Sequence, residues 1–460
     1  MNKIRNYLNS FIGNKSVAIL GFGREGQSTY RFLRAYYSQI SICIADANEQ
    51  ISEHGLLKCD DNIVFELGND FLDNIVDYDI VFKSPGISFK DYNISDNQII
   101  SSQTDLFLRL FSSQTIGVTG TKGKSTTVSL LHHVLKEQNK DVLLIGNIGT
   151  PALDVVNDIS DETILIYEMS SHQLEFVSNS PHISILLNLY QEHLDHYNSY
   201  SDYRNAKWNI AKHQNIEDYF IFCSDEKLLM EDFETKRIIS QKLNYSFSAN
   251  IDSAISYVDN NLLIRSLPEK QFGIKDYKLI GKHNVYNLMA VLLVAEILTL
   301  SISDSLQAAN SFKGLPHRLE FVETIADIKF YNDSIATIPQ ATIKAIESIR
   351  DVDTLILGGY DRGIDYSILY DFLKNNSSIN LLLYGEVGKR IGNSLNKINS
   401  KFKIYQLESF DDFIEKALEI TEKGKSCLLS PAASSYDSFK NFEERGDRFK
   451  ELISVKLIKN

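Results

Sequence analysis

The chain has few cysteines, a single tryptophan, and no apolar run long enough to cross a bilayer. Its four cysteines, Cys43, Cys59, Cys223 and Cys427, are scattered without metal-like or redox-like spacing. They read as reduced thiols of a cytosolic protein, which excludes a disulfide framework and a zinc cluster. The longest apolar stretch, 290–300 (AVLLVAEILTL), is too short to span a membrane and contains Glu296. The first fifteen residues lack a long apolar core and a small-residue cleavage site, so no signal peptide is expected. Basic residues are also in short supply, 47 against 60 acidic ones, for a net charge of −13. Nucleic acid demands a basic face, so no such partner is expected; a small anionic substrate needs only a local basic pocket.

What is present is the material of a globular protein. Hydrophobic residues make up 43% and aromatics 11% of 460 residues, which suits about three domains. Short β-branched runs alternate with helical patterns almost throughout, the pattern of α/β architecture with mainly parallel sheets. Strands are expected at 16–20, 40–45 and 80–83, then at 142–145, 164–167 and 183–188, and finally near 354–357, 381–384 and 427–429. Residues 249–267 read as antiparallel strands and 283–300 as a helix. The break at Gly314-Leu315-Pro316-His317-Arg318 reads as an interdomain joint. Three domains are expected: 1–102 and 315–460, both Rossmann-like, flank a P-loop-type unit at 103–314.

The segment 117–127, GVTGTKGKSTT, stands between a short apolar run and an amphipathic helical pattern. A glycine-rich turn ending in Lys-Ser at a helix start offers backbone N–H groups and a positive dipole end to phosphate. Lys124 can reach terminal phosphates and Ser125 can hold the accompanying magnesium. The loop is shorter than the usual P-loop, with Gly120 as the glycine ahead of Gly123-Lys124 and Val118 where the common pattern has glycine. Glu168 sits at the end of its strand, where ligands gather in open α/β sheets. By position alone it fits either a metal ligand or a helix cap. His193 and Asp195 lie past the next strand and could serve a second metal. Ser201 reads as the N-cap of a helix in which Lys207 would ordinarily be solvated. The loop Gly21-Phe22-Gly23-Arg24-Glu25-Gly26, with Asp46 after the next strand, fits a dinucleotide fingerprint, and alone would suggest an NAD-dependent oxidoreductase.

Taken in order, TGTKGKST (119–126), GNIG (146–149), EMSSHQLE (168–175), EHLDHYNSYSDYRNAK (192–207), GKHNVYN (281–287), LPHRLE (315–320) and NDSIAT (332–337) resemble the Mur ligases. The segment SPAASSYDSFKNFEERG (430–446) is most similar to the MurD type within that family. The resemblance runs from the first glycine loop to the last helix. It implies an ATP-dependent ligase of peptidoglycan precursor synthesis that joins glutamate to UDP-N-acetylmuramoyl-L-alanine through an acyl phosphate. The implied ATP site comprises Gly120, Thr121, Lys122, Gly123, Lys124, Ser125 and Thr126, with Asn284 at the adenine and Arg318 and Asp333 at phosphate and ribose. Ser125 and Glu168 would serve one magnesium ion and His193 a second. Lys207 would take up carbon dioxide and act as a carbamate, which first requires a deprotonated amine in a desolvated pocket. The UDP end would meet Gly21, Gly23, Arg24, Asp46, Ser84, Gly86, Asn147 and Ser170. Glutamate would meet Thr337, Arg362, Ser435 and Phe442. A monomeric cytoplasmic enzyme without a membrane partner is expected.

Two departures bear on the amino acid; in one, Ile338-Pro339 stands where the type has a polar pair. In the other, the type carries a lysine after Asn332-Asp333-Ser334, and this chain has Ile335. The loss of a charge-assisted contact leaves D-glutamate ahead of the L-glutamate-adding variant but open to test. Folylpolyglutamate synthesis shares the phosphate loop and metal residues but lacks the hundred-odd residues that precede the loop here.

Overall fold

The alternating pattern resolves into three sheets. The computed structural model describes residues 2–90, 94–95, 97–192, 196–248, 252–268, 270–279, 281–349, 351–398 and 402–459. Two compact units form: Met1–Tyr277 with Lys282–Phe312, and Lys278–Gly281 with Lys313–Asn460. The first two sheets belong to the former unit and the third to the latter.

The first sheet is wholly parallel, in the order Ile63–Leu67, Ile42–Asp46, Val17–Leu20, Ile80–Lys83, Ile99–Ser101. Val17–Leu20 is buried on both faces, as its unbroken apolar sequence requires. The edge strand Ile63–Leu67 is missing from the sequence reading. Val64 and Phe65 are exposed there, so no alternation of buried and polar positions announces it.

The second sheet runs Gln271–Gly273, Asn261–Ile264, Ile255–Val258, Gln241–Ser246, Tyr219–Cys223, Ile183–Leu186, Thr115–Thr119, Ile164–Glu168, Val142–Gly146. Its first two pairings are antiparallel and the rest parallel. Helix Lys282–Ile297 opens on polar residues, is apolar all round from Leu288 to Ala295, and is buried from Asn287 to Ala295. It packs on helix Lys124–Glu137 and on strand Gln241–Ser246, as a stretch apolar all round must. Among the described residues no helix is long and apolar enough to cross a membrane.

The third sheet runs Glu320–Ile325, Ile328–Asn332, Ser426–Leu429, Val352–Gly358, Asn380–Tyr384, Ile404–Gln406. Only its first pair is antiparallel. In each sheet the loops at the carboxyl ends of neighbouring parallel strands gather on one side, where α/β folds bind ligands.

Candidate active site

Strand Thr115–Thr119 lies between Ile164–Glu168 and Ile183–Leu186, so its loop emerges flanked by two others. The chain turns at Gly120 (φ +152°) and Gly123 (φ +88°), the latter capping helix Lys124–Glu137. A β-carbon on Gly123 would lie 2.9 Å from Asn287 Oδ1, so a side chain there would strain the left-handed backbone and push the Asn287 amide aside. Asn188 braces the loop from the next strand end. Lys122 N donates to its Oδ1 (2.8 Å) and its Nδ2 donates to Lys122 O (3.0 Å). Thr121 Oγ1 meets the Tyr203 hydroxyl at 2.8 Å and accepts from Tyr190 N at 2.8 Å. Lys122 pairs with Glu192. Lys124 curls back to donate to Gly120 O (2.9 Å) and Thr121 O (3.1 Å), so its amine lies over the loop's own carbonyls. Thr126 follows in the first helical turn and is buried.

Glu168 is fully buried at the end of its strand. Its Oε1 accepts from Ser125 Oγ at 3.2 Å and from Asn147 Nδ2 at 3.0 Å. Its Oε2 is buried and has no hydrogen-bond partner among the described residues. An orphaned carboxylate oxygen costs stability unless a cation or donor arrives. Together with the Ser125 hydroxyl it makes a hard oxygen donor set that suits magnesium. Among the described residues no three His, Cys, Asp or Glu side chains converge on a metal position. His193, expected at the second ion, lies outside the described residues, as does Asp195. Asn147, read as a substrate contact, is bound to Glu168 through both side chain and backbone (Asn147 N to Glu168 O, 3.1 Å).

Lys207 belongs to the same cluster and is buried, contrary to its ordinary reading as a solvated helix lysine. The helix starts at Tyr200 and its N-cap is Ser199, whose side chain accepts from Asp202 N; Ser201 is therefore the second residue of the helix. Lys207 Nζ donates to Gly120 O at 2.9 Å, the carbonyl that Lys124 also uses, and sits 5.0 Å from the Tyr203 ring centroid. Burial and the Lys124 charge push its pKa well below the ordinary lysine value, against a smaller opposing pull from Glu192. The amine is thereby held ready to act as a base or nucleophile.

The first sheet's glycine loop joins this cluster within the same unit. A β-carbon on Gly26 would fall 2.0 Å from Gly21 O, so the third glycine of the fingerprint lets helix Arg24–Tyr36 pack on the strand. Asp46 Oδ2 accepts from Phe22 N (2.8 Å) and Ser84 Oγ donates to Gly21 O (2.7 Å). Gly23 and Gly86 face open space. Arg24 donates to Gly149 O at 3.0 Å. Glu25 accepts from Gln173 Nε2 at 2.6 Å, and Gln173 closes a capping box with Ser170. Burial raises the Glu25 carboxyl to about 7 despite the Gln173 bond and the Arg24 and Lys83 charges. Lys83, just ahead of the Ser84 turn, is buried and pairs with Glu175 at 2.7 Å; His196 reaches the other oxygen at 2.7 Å. Burial opposes ionisation of Glu175, but the His196 bond and the Lys83 charge outweigh it and hold the carboxyl below its usual range.

Asn284 stands on helix Lys282–Ile297, its Oδ1 accepting from Asn287 Nδ2 at 3.1 Å; Asn287 thus links it to the Gly123 turn.

In the other unit, Asp333 is buried at a strand end and accepts from Ser430 Oγ (2.8 Å) and Leu319 N (3.2 Å). Burial lifts its carboxyl to about 7 against those bonds and the Arg318 charge. Arg318 is exposed, Thr337 half-buried and Ser435 buried. Phe442 opens helix Phe442–Lys459, and its carbonyl accepts from Ser334 Oγ at 2.8 Å. Arg362 is exposed in a loop that Arg390 fastens through Asp361 (2.9 Å) and Ile364 O (2.8 Å). Sequence reasoning passed over Asn188, Tyr203 and Arg445. Asn188 had been read only as a strand end, and Arg445 lay inside a charged run.

Residues 118–295 match the family model described as the Mur ligase middle domain. The chain is similar over nearly its whole length to proteins named UDP-N-acetylmuramoylalanine–D-glutamate ligase. That of Alkaliphilus metalliredigens is 32% identical, covering 96% of this chain and 98% of the relative. That of Clostridium tetani is 32% identical, covering 98% and 99%. Among solved structures, the MurC UDP-N-acetylmuramate-alanine ligase of Thermotoga maritima aligns with a TM-score of 0.56 at 19% identity, covering 96% of this chain and 100% of that one. The MurF ligase of the same organism, in complex with ADP, aligns with a TM-score of 0.56 at 18% identity, covering 98% and 97%. The phosphate loop, the strand-end carboxylate and this full-length kinship lead to one conclusion: the chain belongs to the Mur ligase family of ATP-dependent, amide-bond-forming ligases.

Proposed function

We propose that the protein adds glutamate, D-glutamate ahead of L-glutamate, to UDP-N-acetylmuramoyl-L-alanine during peptidoglycan precursor synthesis, with three domains bounded near 102 and 314. The observation that carries the reading is the convergence of Lys124, Ser125, Glu168, Asn147 and buried Lys207 around one phosphate loop. The printed names of the full-length relatives support glutamate as the amino acid.

In the first half-reaction a substrate carboxylate oxygen bonds to the γ-phosphorus of ATP as the bond to the ADP oxygen breaks. The amine of glutamate then attacks the acyl carbon, a proton leaves the nitrogen, and phosphate departs. Positioning and charge neutralisation do most of the work in phosphoryl transfer. Lys124 would leave the loop carbonyls for the phosphates, and the Gly120–Gly123 turn would cradle them with backbone N–H groups. Magnesium held by Ser125 and Glu168 would neutralise phosphate charge, and a second ion would lie toward His193. Lys207 would hold its amine neutral for carbon dioxide, and the resulting carbamate would bring a negative charge to the cations. Gly21, Gly23, Arg24, Asp46, Ser84, Gly86 and Ser170 would receive the UDP end. Arg318 and Asp333 would serve ATP, and Thr337, Arg362, Ser435 and Phe442 the glutamate.

The test is phosphate release from ATP with UDP-N-acetylmuramoyl-L-alanine and D-glutamate, L-glutamate or no amino acid. Turnover with D-glutamate alone supports the reading and makes Ile335 a tolerated change. Turnover with L-glutamate alone makes Ile335 a stereochemical marker. Turnover with neither overturns the substrate assignment. Full activity of Lys207→Ala without carbon dioxide dependence would remove the carbamate.

A further inference from the structure

Arg445 is wholly buried, yet every hydrogen bond that it makes among the described residues goes to a neutral oxygen. Its Nε donates to Ser334 Oγ at 2.9 Å and its Nη2 to Ser334 O at 2.7 Å. Nη1 donates to Ala433 O at 3.1 Å and to the Tyr384 hydroxyl at 3.2 Å. A β-carbon on Gly359 would lie 3.3 Å from the same Nη1. The guanidinium therefore meets the carboxyl-end regions of four neighbouring parallel strands, Ile328–Asn332, Ser426–Leu429, Val352–Gly358 and Asn380–Tyr384. Among the described residues no carboxylate stands within ion-pair distance; Asp437 feels the Arg445 charge from farther off, and burying a cation without a direct carboxylate partner is expensive. A fold that only needed filling there would use an apolar side chain.

What the four regions carry explains the arrangement. Thr337 follows Ser334 by three residues, Ser435 follows Ala433 by two, and Arg362 follows Gly359 by three. Phe442 is held through its own carbonyl by Ser334 Oγ. Thr337, Ser435 and Phe442 thus lie within a few residues of groups bonded to one planar fork, and Arg362 follows a glycine packed against it. Asp333, proposed for ATP, adjoins Ser334 in the chain, but its carboxylate is fixed by Ser430 and Leu319 and not by the fork. The geometry points to Arg445 as a positioning residue for the amino-acid end of the site, an inference that rests on the proposed function. It fixes the mutual spacing of the glutamate contacts and adds a buried positive charge behind them, favourable to an amino acid with two carboxylates.

The full chain, Arg445→Lys and Tyr384→Phe are compared by phosphate release, titrating glutamate, ATP and the UDP substrate separately. An ammonium cannot reproduce the divergent fork. Arg445→Lys should therefore raise KM for glutamate about tenfold or more, leaving the other two KM values within about twofold. Tyr384→Phe removes one bond, retains the fold, and should shift the glutamate KM in the same direction by a smaller factor. An equal change in all three KM values, or a fall in kcat alone, would overturn the inference. If the unaltered chain shows no glutamate-dependent release, the functional reading fails by itself. Amide exchange then decides the positioning role: Tyr384→Phe and Arg445→Lys must speed exchange at 334–337 and 433–436 while leaving 120–127 unchanged, and unaltered exchange at those loops overturns it.

Discussion

Replacing Lys207 by Met separates the energetic cost of this lysine from its use. The substitution keeps the length and most of the volume of the stem and removes the amine. Gly120 O keeps the Lys124 bond, so no acceptor is orphaned, and the lost hydrogen bond costs about 1 kcal/mol. Against that stands the depressed pKa of Lys207, caused first by burial and then by Lys124. An unfolded lysine titrates near 10.4. Between that value and the lower folded one, the unfolded chain carries a proton that the folded chain lacks, so stability rises with pH by up to about 1.4 kcal/mol per unit. Below the folded pKa the slope disappears and the full penalty remains. Lys207→Met lacks this term, so its stability relative to the unaltered chain should improve by up to about 1.4 kcal/mol per unit as pH falls below about 9.5, until the folded pKa is reached. Trp208, the sole tryptophan, is buried beside the site and donates to Asp232. Its fluorescence during urea unfolding reports the unit that holds Lys207. Ligase turnover should be abolished in the same variant. A stability difference independent of pH between 7.5 and 9.5 would refute the argument, because it would mean that the amine enters the fold protonated.

Glu168→Gln should lower phosphate release by about 100-fold or more without lowering the melting temperature, since it removes a buried carboxylate charge while the amide oxygen still accepts from Ser125 and Asn147; magnesium titration of the residual rate checks the metal role. Gly123→Ala should cost about 1–2 kcal/mol from the left-handed backbone and raise KM for ATP, measured by urea unfolding and kinetics. Glu175→Gln leaves Lys83 buried without its partner and should destabilise by about 3–5 kcal/mol. Because the folded carboxyl titrates below its unfolded value, the Glu175 contribution is present above about pH 4.3 and fades as pH falls through the folded pKa. The two proteins should therefore converge in strong acid, as Trp208 fluorescence would show.

The parallel architecture was legible because strands buried on both faces are written as unbroken apolar runs, as at Val17–Leu20 and Asn380–Tyr384. The phosphate loop was legible because its glycines answer to backbone geometry that no other residue meets cheaply. Edge strand Ile63–Leu67 was illegible for the converse reason, its exposed Val64 and Phe65 giving no facial pattern. Lys207 could be singled out only through family likeness, because the Gly120 carbonyl that it meets in the interior lies 87 residues away in sequence. Arg445 sits in FEERGDRFK, which reads as a solvated helix face. The neighbouring Gly446 holds a clue: a β-carbon there would fall 2.1 Å from His317 Nδ1, so this side of the helix is tightly packed. Ser199 displaced Ser201 as N-cap because it alone stands opposite Asp202 N, a distinction of two residues that two nearby serines do not reveal.

The order of the central sheet has a consequence for how such a chain can change over evolutionary time. Val142–Gly146, Ile164–Glu168, Thr115–Thr119 and Ile183–Leu186 are consecutive neighbours in space, and their ends supply Asn147, Glu168, the phosphate loop and Asn188. Each group is placed by the register of its own strand, so the excursions on the opposite side of the sheet can lengthen or shorten without moving it. A single-residue slip of one strand, by contrast, would displace its contribution by about 3.3 Å. Insertions should therefore be accepted at the amino ends of these strands and rejected at their carboxyl ends. That polarity would let the fold lengthen through many lineages while the chemistry stayed fixed.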